Sequence, residues 1–208
     1  MRSDVLIVAD RARQPRIECG GGVAARRTEA DTVHLVSAAA TPLGGDAIHI
    51  RVVVEEGARL RVRTAAATVT LPGPMTPESH AFWMLEVAGA LDIDPQPTVV
   101  AATSRHFTST RVELTGTGRL RLRERIQIGR TDERQGFWSG ALHADVDRSP
   151  LLRHRIELGS GSMADDELGT PLACISELRY PEAAFDAAGT LLELASGGCL
   201  ATWQGERL

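Results

Sequence analysis

Hydrophobic and polar residues alternate with a period of two along three stretches of the chain, at positions 47–55, 59–64 and 119–129. Successive side chains of a β-strand point to opposite faces, so this alternation predicts strands with one buried and one solvated face. The predicted buried face of the third stretch carries Leu120, Leu122, Ile126 and Ile128, with Glu124 between them. Arginines occupy the opposite face of the second and third stretches, which indicates a polar, solvated sheet surface.

Turn-forming residues separate these stretches. The 20 glycines and 10 prolines are spread along the chain and interrupt any helical period. One short helix is predicted at 181–188, because a proline stands at its start and Gly189 follows its end. The sequence therefore predicts a mainly β fold of many short strands, with at most one or two short helices, in a single domain over residues 1–208.

The composition is that of an ordinary globular protein, with 43% hydrophobic and 24% charged residues in a chain of 208. It excludes a disordered chain, a collagen and a disulfide miniprotein. A formal net charge of −4 argues against a general binder of nucleic acids or anionic membranes. Aromatic residues make up only 4%, too few for the base stacking that a nucleic-acid-binding sheet uses.

The cysteines and the start of the chain bear on the compartment. Cys19, Cys174 and Cys199 are odd in number and far apart, which predicts buried free thiols in a reducing compartment rather than disulfides or a zinc site. Met1 leads almost directly into an apolar run at 5–9, without the pattern of a signal peptide. We therefore expect a cytoplasmic protein.

All 23 basic residues are arginine, and the chain contains no lysine. A coding bias acting on a solvated surface is the favoured interpretation of this usage. It has one functional consequence, because the phosphate-binding loop of many nucleotide hydrolases requires a lysine. If nucleotide hydrolysis is involved in the function of this protein, another chain performs it.

Two pairs of carboxylates could build a metal site. Asp92 and Asp94 are two residues apart, so on a strand both would lie on one face. Asp145 and Asp147 repeat this spacing, with His143 two residues earlier. Either set could hold a cation. Solvent-facing acids at the ends of strands are the alternative, and we favour it, since charged residues are mostly exposed.

Asp46 follows the turn 42–45 and precedes a strongly patterned strand. An acid here can cap the turn by accepting hydrogen bonds from nearby backbone N–H groups. Alternatively, it can be held at the rim of a sheet and be available to a passing cation. The residues alone leave both interpretations open.

Taken together, several segments resemble the UreD family of urease accessory proteins, called UreH in some lineages. Their order and spacing match the family over about residues 17–155, and 192–205 is similar more loosely. The segments that carry the resemblance are 41–46 with the strand 48–54 behind it, 57–68, 91–100 and 123–130. The short length and the segment 65–73 resemble the actinobacterial branch.

The resemblance implies a helical β architecture of two stacked layers and a role that is not enzymatic. It implies a scaffold for metallocentre assembly that binds apo-urease and the partner UreF, which recruits the GTPase UreG. Nickel released by UreG would then pass through a tunnel in the UreD protein to the urease active site. No tightly bound cofactor is expected, only transient Ni²⁺, and weak exchangeable ligands suit such passage because tight clusters would trap the ion.

The resemblance carries over to few residues. Asp46 matches the family's Gly-Gly-Asp acid, a position associated with the tunnel, and Glu133 replaces an acid that the family places nearer its Gly-Arg turn, here Gly129-Arg130. We expect both acids to line the path of nickel. Pro95 and Pro97 match a structural Pro-x-Pro turn, and the family's C-terminal extension has no counterpart here. The rival hypothesis is a β-helical hydrolase or lyase that acts on a sugar polymer through Asp92 and Asp94.

Overall fold

The computed structural model of the protein describes residues 1–165 and 170–208. Within these ranges the regular structure consists of β-strands, and there is no helix. The strands in chain order are β1 (Arg2–Ala9), β2 (Arg16–Gly20), β3 (Val23–Glu29), β4 (Thr32–Ser37), β5 (Ala47–Val54), β6 (Arg59–Thr64), β7 (Thr68–Thr70), β8 (Glu78–Val87), β9 (Ala90–Ile93), β10 (Thr98–Val100), β11 (Arg105–Leu114), β12 (Arg119–Ile128), β13 (Phe137–Val146), β14 (Ser149–Gly159), β15 (Ala173–Tyr180), β16 (Thr190–Glu193) and β17 (Cys199–Gly205).

The strands form two sheets. In the first sheet the order is β14-β13-β11-β8-β5-β1-β2, and in the second it is β16-β17-β15-β12-β9-β6-β4-β3, with β10 and β7 beside β12. From β4 to β13 the chain passes back and forth between the sheets, and successive strands within each sheet are mostly parallel. This winding confirms the predicted mainly β fold and its two-layer helical course.

The three alternating stretches are strands, as predicted: β5, β6 and β12. Their inward faces supply Ile50, Val52, Leu60 and Ile126, each at most 5% exposed. Complete burial of such a side chain contributes about 1.5–3 kcal/mol relative to leaving it in water. The buried face of each alternating stretch therefore holds the two sheets together.

The second sheet is interrupted beside β12. The first part of β12 pairs with β9 up to Leu122, and its last part pairs with β10 from Ile126 onward. On that side, no described strand pairs with residues 123–125 between them. The facing segment, 94–97, contains two prolines, which have no N–H to donate to a sheet ladder. We call this interruption the sheet gap.

The predicted helix at 181–188 was wrong. The segment is irregular and folds against β15, where the Arg179 guanidinium lies 3.9 Å from the centre of the Phe185 ring. An isolated helix of eight residues is marginal in water, and the segment gains its order from tertiary contacts instead.

The prediction of three buried thiols was wrong for Cys19. Cys174 and Cys199 are free and buried, whereas Cys19 is free but exposed. It lies on β2, the edge strand of the first sheet, whose residues are mostly exposed. The edge position leaves its side chain without a second layer to cover it.

Candidate functional site

A chamber of about 290 Å³ lies between the two sheets and reaches the sheet gap. The first sheet contributes His106, Trp138 and His154 to its wall, and the second contributes Leu122 and Glu124. Its lining is mostly apolar, with these few polar groups among aliphatic and aromatic side chains. A largely apolar cavity with a few polar groups is the usual form of a site that takes a small ligand.

Glu124 presents its carboxyl group to the chamber. The Thr108 hydroxyl, on the opposite sheet, donates a hydrogen bond of 3.1 Å to Oε1 of this carboxyl group. Burial raises the pKa of Glu124 to about 7, an effect that the Thr108 hydrogen bond only partly offsets. Near neutral pH the group can therefore either hold a proton or carry a charge.

His106 is 3% exposed, and its Nδ1 lies 2.8 Å from the Ser79 hydroxyl oxygen. Burial, together with a smaller effect of the nearby His80, lowers the pKa of His106 to about 4. The ring is therefore neutral at pH 7. A neutral imidazole is the form of histidine that binds metal ions.

His154 borders both the chamber and a second, more open cleft between β14 and β17. Its Nε2 atom is buried and has no hydrogen-bond partner among the described residues, and burial lowers the pKa of the ring. The indole nitrogen of Trp138, on the neighbouring strand, is also buried without a partner in the described ranges. These two groups retain unused hydrogen-bonding capacity.

The polar groups of the chamber are dispersed. Within residues 1–165 and 170–208, no three histidine, cysteine, aspartate or glutamate side chains are grouped so that they could hold a metal ion. The chamber therefore offers single exchangeable ligands rather than a tight site.

Asp46 is placed beside the chamber rather than in its wall. Its Oδ2 accepts hydrogen bonds of 2.8 Å from the Thr41 hydroxyl and from the Leu43 N–H, and Oδ1 lies 2.5 Å from the terminal amine of Met1. Thr41 itself borders the chamber. Burial acts to raise the pKa of Asp46, but these hydrogen bonds outweigh it and hold the pKa below its ordinary value. Asp46 caps its turn, as one of the two sequence interpretations predicted.

Glu133 lies in the loop after β12 and does not border the chamber. The Arg130 guanidinium pairs with its carboxylate, and the N–H groups of Ala102 and Arg130 donate to it at 3.0 and 3.1 Å. These hydrogen bonds, that of the guanidinium first, lower the pKa of Glu133 to about 2. The carboxylate therefore holds two segments of loop together.

Arginines pair with three of the four carboxylates in the two pairs considered as metal sites. Asp92 pairs with Arg63 at 2.8 Å, and Asp94 pairs with Arg125 at 2.9 Å. Asp92 and Asp94 do share one face of the second sheet, as their spacing predicted, but it is the outer face.

The second candidate set, Asp145 and Asp147 with His143, does not converge on one point. Asp145 pairs with Arg153 at 2.5 Å, next to an irregularity in the pairing of β13 with β14. Asp147 lies in the following turn, where it accepts a hydrogen bond from the Gly116 N–H. His143 is exposed on β13. The three side chains do not form one of the metal-binding groups considered above.

Sequence reasoning missed the polar groups of the chamber. For Glu124 a signal was available, since a charged residue stood on the predicted buried face of an alternating stretch. For His106 and His154 the signal was weaker, because they lie on strands whose partners along the chain could not be assigned.

No described part of the chain contains a helix with the length and apolar character needed to cross a membrane.

Comparison with known proteins agrees with the sequence resemblance. Residues 23–198 match the model of a family described as UreD urease accessory protein. The chain is 37% identical over 190 residues to urease accessory protein UreD 1 of Saccharopolyspora erythraea, covering 87% of this chain and 74% of that protein. It is 43% identical over 154 residues to UreD of Frankia alni and 41% identical over 176 residues to UreD of Frankia casuarinae. These matches cover 70% and 76% of this chain but only 52% and 55% of the two Frankia proteins.

Proposed function

The chain belongs to the UreD family of urease accessory proteins, and from that premise we propose that it is a non-enzymatic scaffold that delivers nickel to apo-urease. It binds apo-urease together with UreF and the GTPase UreG, and Ni²⁺ passes through its interior. Family membership over residues 23–198 is the observation that carries this proposal. The absence of lysine supports the assignment of nucleotide hydrolysis to a partner.

The chamber is the proposed path of the ion. Its polar groups come singly from different strands, so an ion can move from one to the next without being trapped by a complete ligand set. Glu124 is suited to such exchange, because a carboxyl group with a pKa of about 7 can release a proton when a cation arrives. The neutral rings of His106 and His154 offer further weak ligands.

Asp46 and Glu133 stay in the proposal as acids of the nickel path, and their contacts suggest how each would act. Asp46 fixes the 43–46 turn against Thr41, which borders the chamber, so we propose that it shapes one end of the path. Glu133 fixes the loop after β12 by pairing with Arg130. Direct transient contact of either carboxylate with Ni²⁺ remains part of the proposal.

The rival hypothesis of a polysaccharide hydrolase or lyase receives little support. Such an enzyme needs a carboxyl group that is free to donate or accept a proton. Asp92 and Asp94 instead pair with Arg63, Arg121 and Arg125. Both carboxylates are therefore held in ion pairs with guanidinium groups and are not open to a substrate.

The proposal is tested by urease activation. Apo-urease, UreF, UreG, GTP and limiting Ni²⁺ are combined with and without the purified chain, and the nickel content and activity of the urease are measured. We expect both to rise when the chain is added. Equal activation without the chain would contradict the proposal. Sugar-polymer cleavage by the chain alone would support the rival hypothesis.

A cytoplasmic location stays a prediction.

A further inference from the structure

The space between the two sheets continues beyond the chamber toward one edge of the fold. A cleft of about 370 Å³ lies there, between β14 of the first sheet and β17 of the second. Two residues of β14, His154 and Ile156, line both the chamber and the cleft. β14 is the end strand of its sheet, and only the short β16 lies beyond β17. The cleft is therefore the continuation of the chamber at the edge of the two sheets.

On the second sheet, a row of oxygen-bearing side chains leads from the chamber to the cleft. Glu124 on β12 is in register with Ser176 on β15, and Ser176 is in register with Thr202 on β17. Directly opposed residues of antiparallel strands lie on the same face of a sheet, with Cβ atoms about 4.5–5.5 Å apart. Ser176 lines the chamber and Thr202 lines the cleft. We call Glu124, Ser176 and Thr202 the oxygen row.

His154 lines the same passage from the first sheet. Its Nε2 atom is buried and has no hydrogen-bond partner among the described residues. A buried polar atom without a partner is unfavourable, so this nitrogen has the capacity to bind a group that enters the passage. A neutral imidazole nitrogen is the commonest metal ligand in proteins and suits Ni²⁺.

The charges along the described wall of the cleft are balanced. Arg155 and Glu157 are the charged residues in that wall, and their side chains form an ion pair at 2.6 Å. A cation in the cleft therefore does not face an unpaired guanidinium group. Next to this pair stand the neutral donors, the Thr202 hydroxyl and the His154 ring.

The type and spacing of the donors suit passage rather than storage. Nickel prefers nitrogen ligands such as imidazole, and it is held less well by single hydroxyl oxygens. Successive members of the oxygen row come from neighbouring strands, so an ion can move by one strand spacing at a time and keep part of its hydration shell.

We propose that the cleft between β14 and β17 is a mouth of the ion path, at which Ni²⁺ passes between the surface and the chamber along the oxygen row, with Nε2 of His154 as a transient ligand. This inference deepens the proposed function and rests on it. We call the cleft the mouth.

The first experiment asks whether His154 takes the ion, with Ni²⁺ alone as the probe. Paramagnetic broadening of the imidazole resonances of the purified chain is followed by NMR during a titration with Ni²⁺. The signal that is missing in His154→Gln assigns the ring. We expect the His154 resonance to broaden at a lower Ni²⁺ concentration than that of His143, which is exposed on the neighbouring strand β13. Broadening of both rings at the same concentration, or of His143 first, would overturn the proposal.

The second experiment closes the mouth reversibly. Gln204 lines the cleft and is exposed, so the thiol of Gln204→Cys can carry a bulky methanethiosulfonate label that reduction removes. Cys19, the exposed native thiol, is replaced by serine in this background. We expect the label to abolish the rise in nickel content of urease that the chain produces, and its removal to restore that rise. Arg111→Cys, labelled at an exposed position on β11, should load urease like the native chain.

A third variant tests the oxygen row without filling the cleft. Thr202→Val keeps the shape of the side chain and removes its hydroxyl group. We expect a several-fold lower rate of nickel loading with an unchanged midpoint of thermal unfolding. Thr117→Val, at an exposed position in the turn between β11 and β12, is the matched control. Equal rates for the two variants would remove Thr202 from the path and contradict the oxygen row.

Unchanged loading by labelled Gln204→Cys would overturn the mouth and leave the proposed function standing. An equal loss with labelled Arg111→Cys would show that the position of the label does not matter, and would overturn the mouth as well. If the native chain does not raise the nickel content of urease, the proposed function fails and the mouth fails with it, even where Ni²⁺ binds His154.

Discussion

Glu124 on β12 accepts a hydrogen bond of 3.1 Å from the Thr108 hydroxyl on β11, across the space between the two sheets. The carboxyl group lies on the face that alternation assigns to the core, yet it borders a chamber rather than packed side chains. Burial raises its pKa to about 7, while His106 on β11 has its pKa lowered to about 4 by the same cause. The two groups therefore affect stability in opposite directions as the pH changes.

Replacing Glu124 by glutamine is expected to remove a loss of stability between about pH 4.5 and pH 7. In this window the native state holds the proton that the unfolded chain has already released, so the free energy of unfolding falls as the pH rises. Glutamine keeps an acceptor for Thr108 but does not titrate. The variant should gain about 3 kcal/mol relative to the native chain between these limits. Urea unfolding at several pH values measures the difference, and parallel pH profiles would contradict it.

Replacing His106 by asparagine is expected to change the profile in the opposite sense. Between about pH 6.5 and pH 4 His106 is protonated in the unfolded chain, while the buried ring in the native state stays neutral. The free energy of unfolding therefore falls as the pH falls. Asparagine can still bond to the Ser79 hydroxyl but does not titrate. The variant should be less stable overall, because the ring leaves a cavity, yet its stability should fall less on acidification. An unchanged slope below pH 6.5 would refute the assigned pKa shift.

Replacing Asp46 by asparagine is expected to lower nickel loading of urease. The amide oxygen can still accept from one donor of the turn, but the negative charge facing the Met1 amine is lost. We expect the free energy of unfolding to fall by about 1–2 kcal/mol. Nickel content of urease activated with this variant, measured by mass spectrometry, should be below that obtained with the native chain. Asp145→Asn on the outer surface is the control. If urease is loaded with nickel equally well by both variants, Asp46 has no part in nickel transfer.

Replacing Arg121 by alanine is expected to destabilise the second sheet. Arg121 joins Glu177, which is 6% exposed, to Asp92 on β9 and to Asp94 just after β9. Its loss leaves a buried carboxylate with Arg179 as its remaining hydrogen-bonded partner, and we expect a cost of about 1–2 kcal/mol. Arg111 is exposed on β11, so Arg111→Ala should leave the free energy of unfolding unchanged in the same denaturation experiment. Equal stability of both variants would show that the ion pairs of Arg121 make no net contribution to the free energy of unfolding.

The prediction of strands from sequence succeeded where the alternation of buried and exposed side chains is visible within a single strand. In β5, β6 and β12 the alternation shows which face is buried, because a strand between a core and water must alternate. The helix at 181–188 failed because a short segment with a favourable start and end can be ordered by contacts that its own sequence does not reveal. Arg179 is such a contact for Phe185.

The sequence by itself determined the mainly β class, the strands with one buried face and, through the resemblance, the UreD family. It placed Glu124 on an inward face and excluded a phosphate-binding loop that needs lysine. Only the tertiary structure decided that Glu124 meets Thr108 at a chamber, and that Asp92 and Asp94 are neutralised by arginines. The reason is physical: alternation is a property of consecutive residues, whereas a cavity or an ion pair depends on strands far apart in the chain that the two-sheet winding brings together.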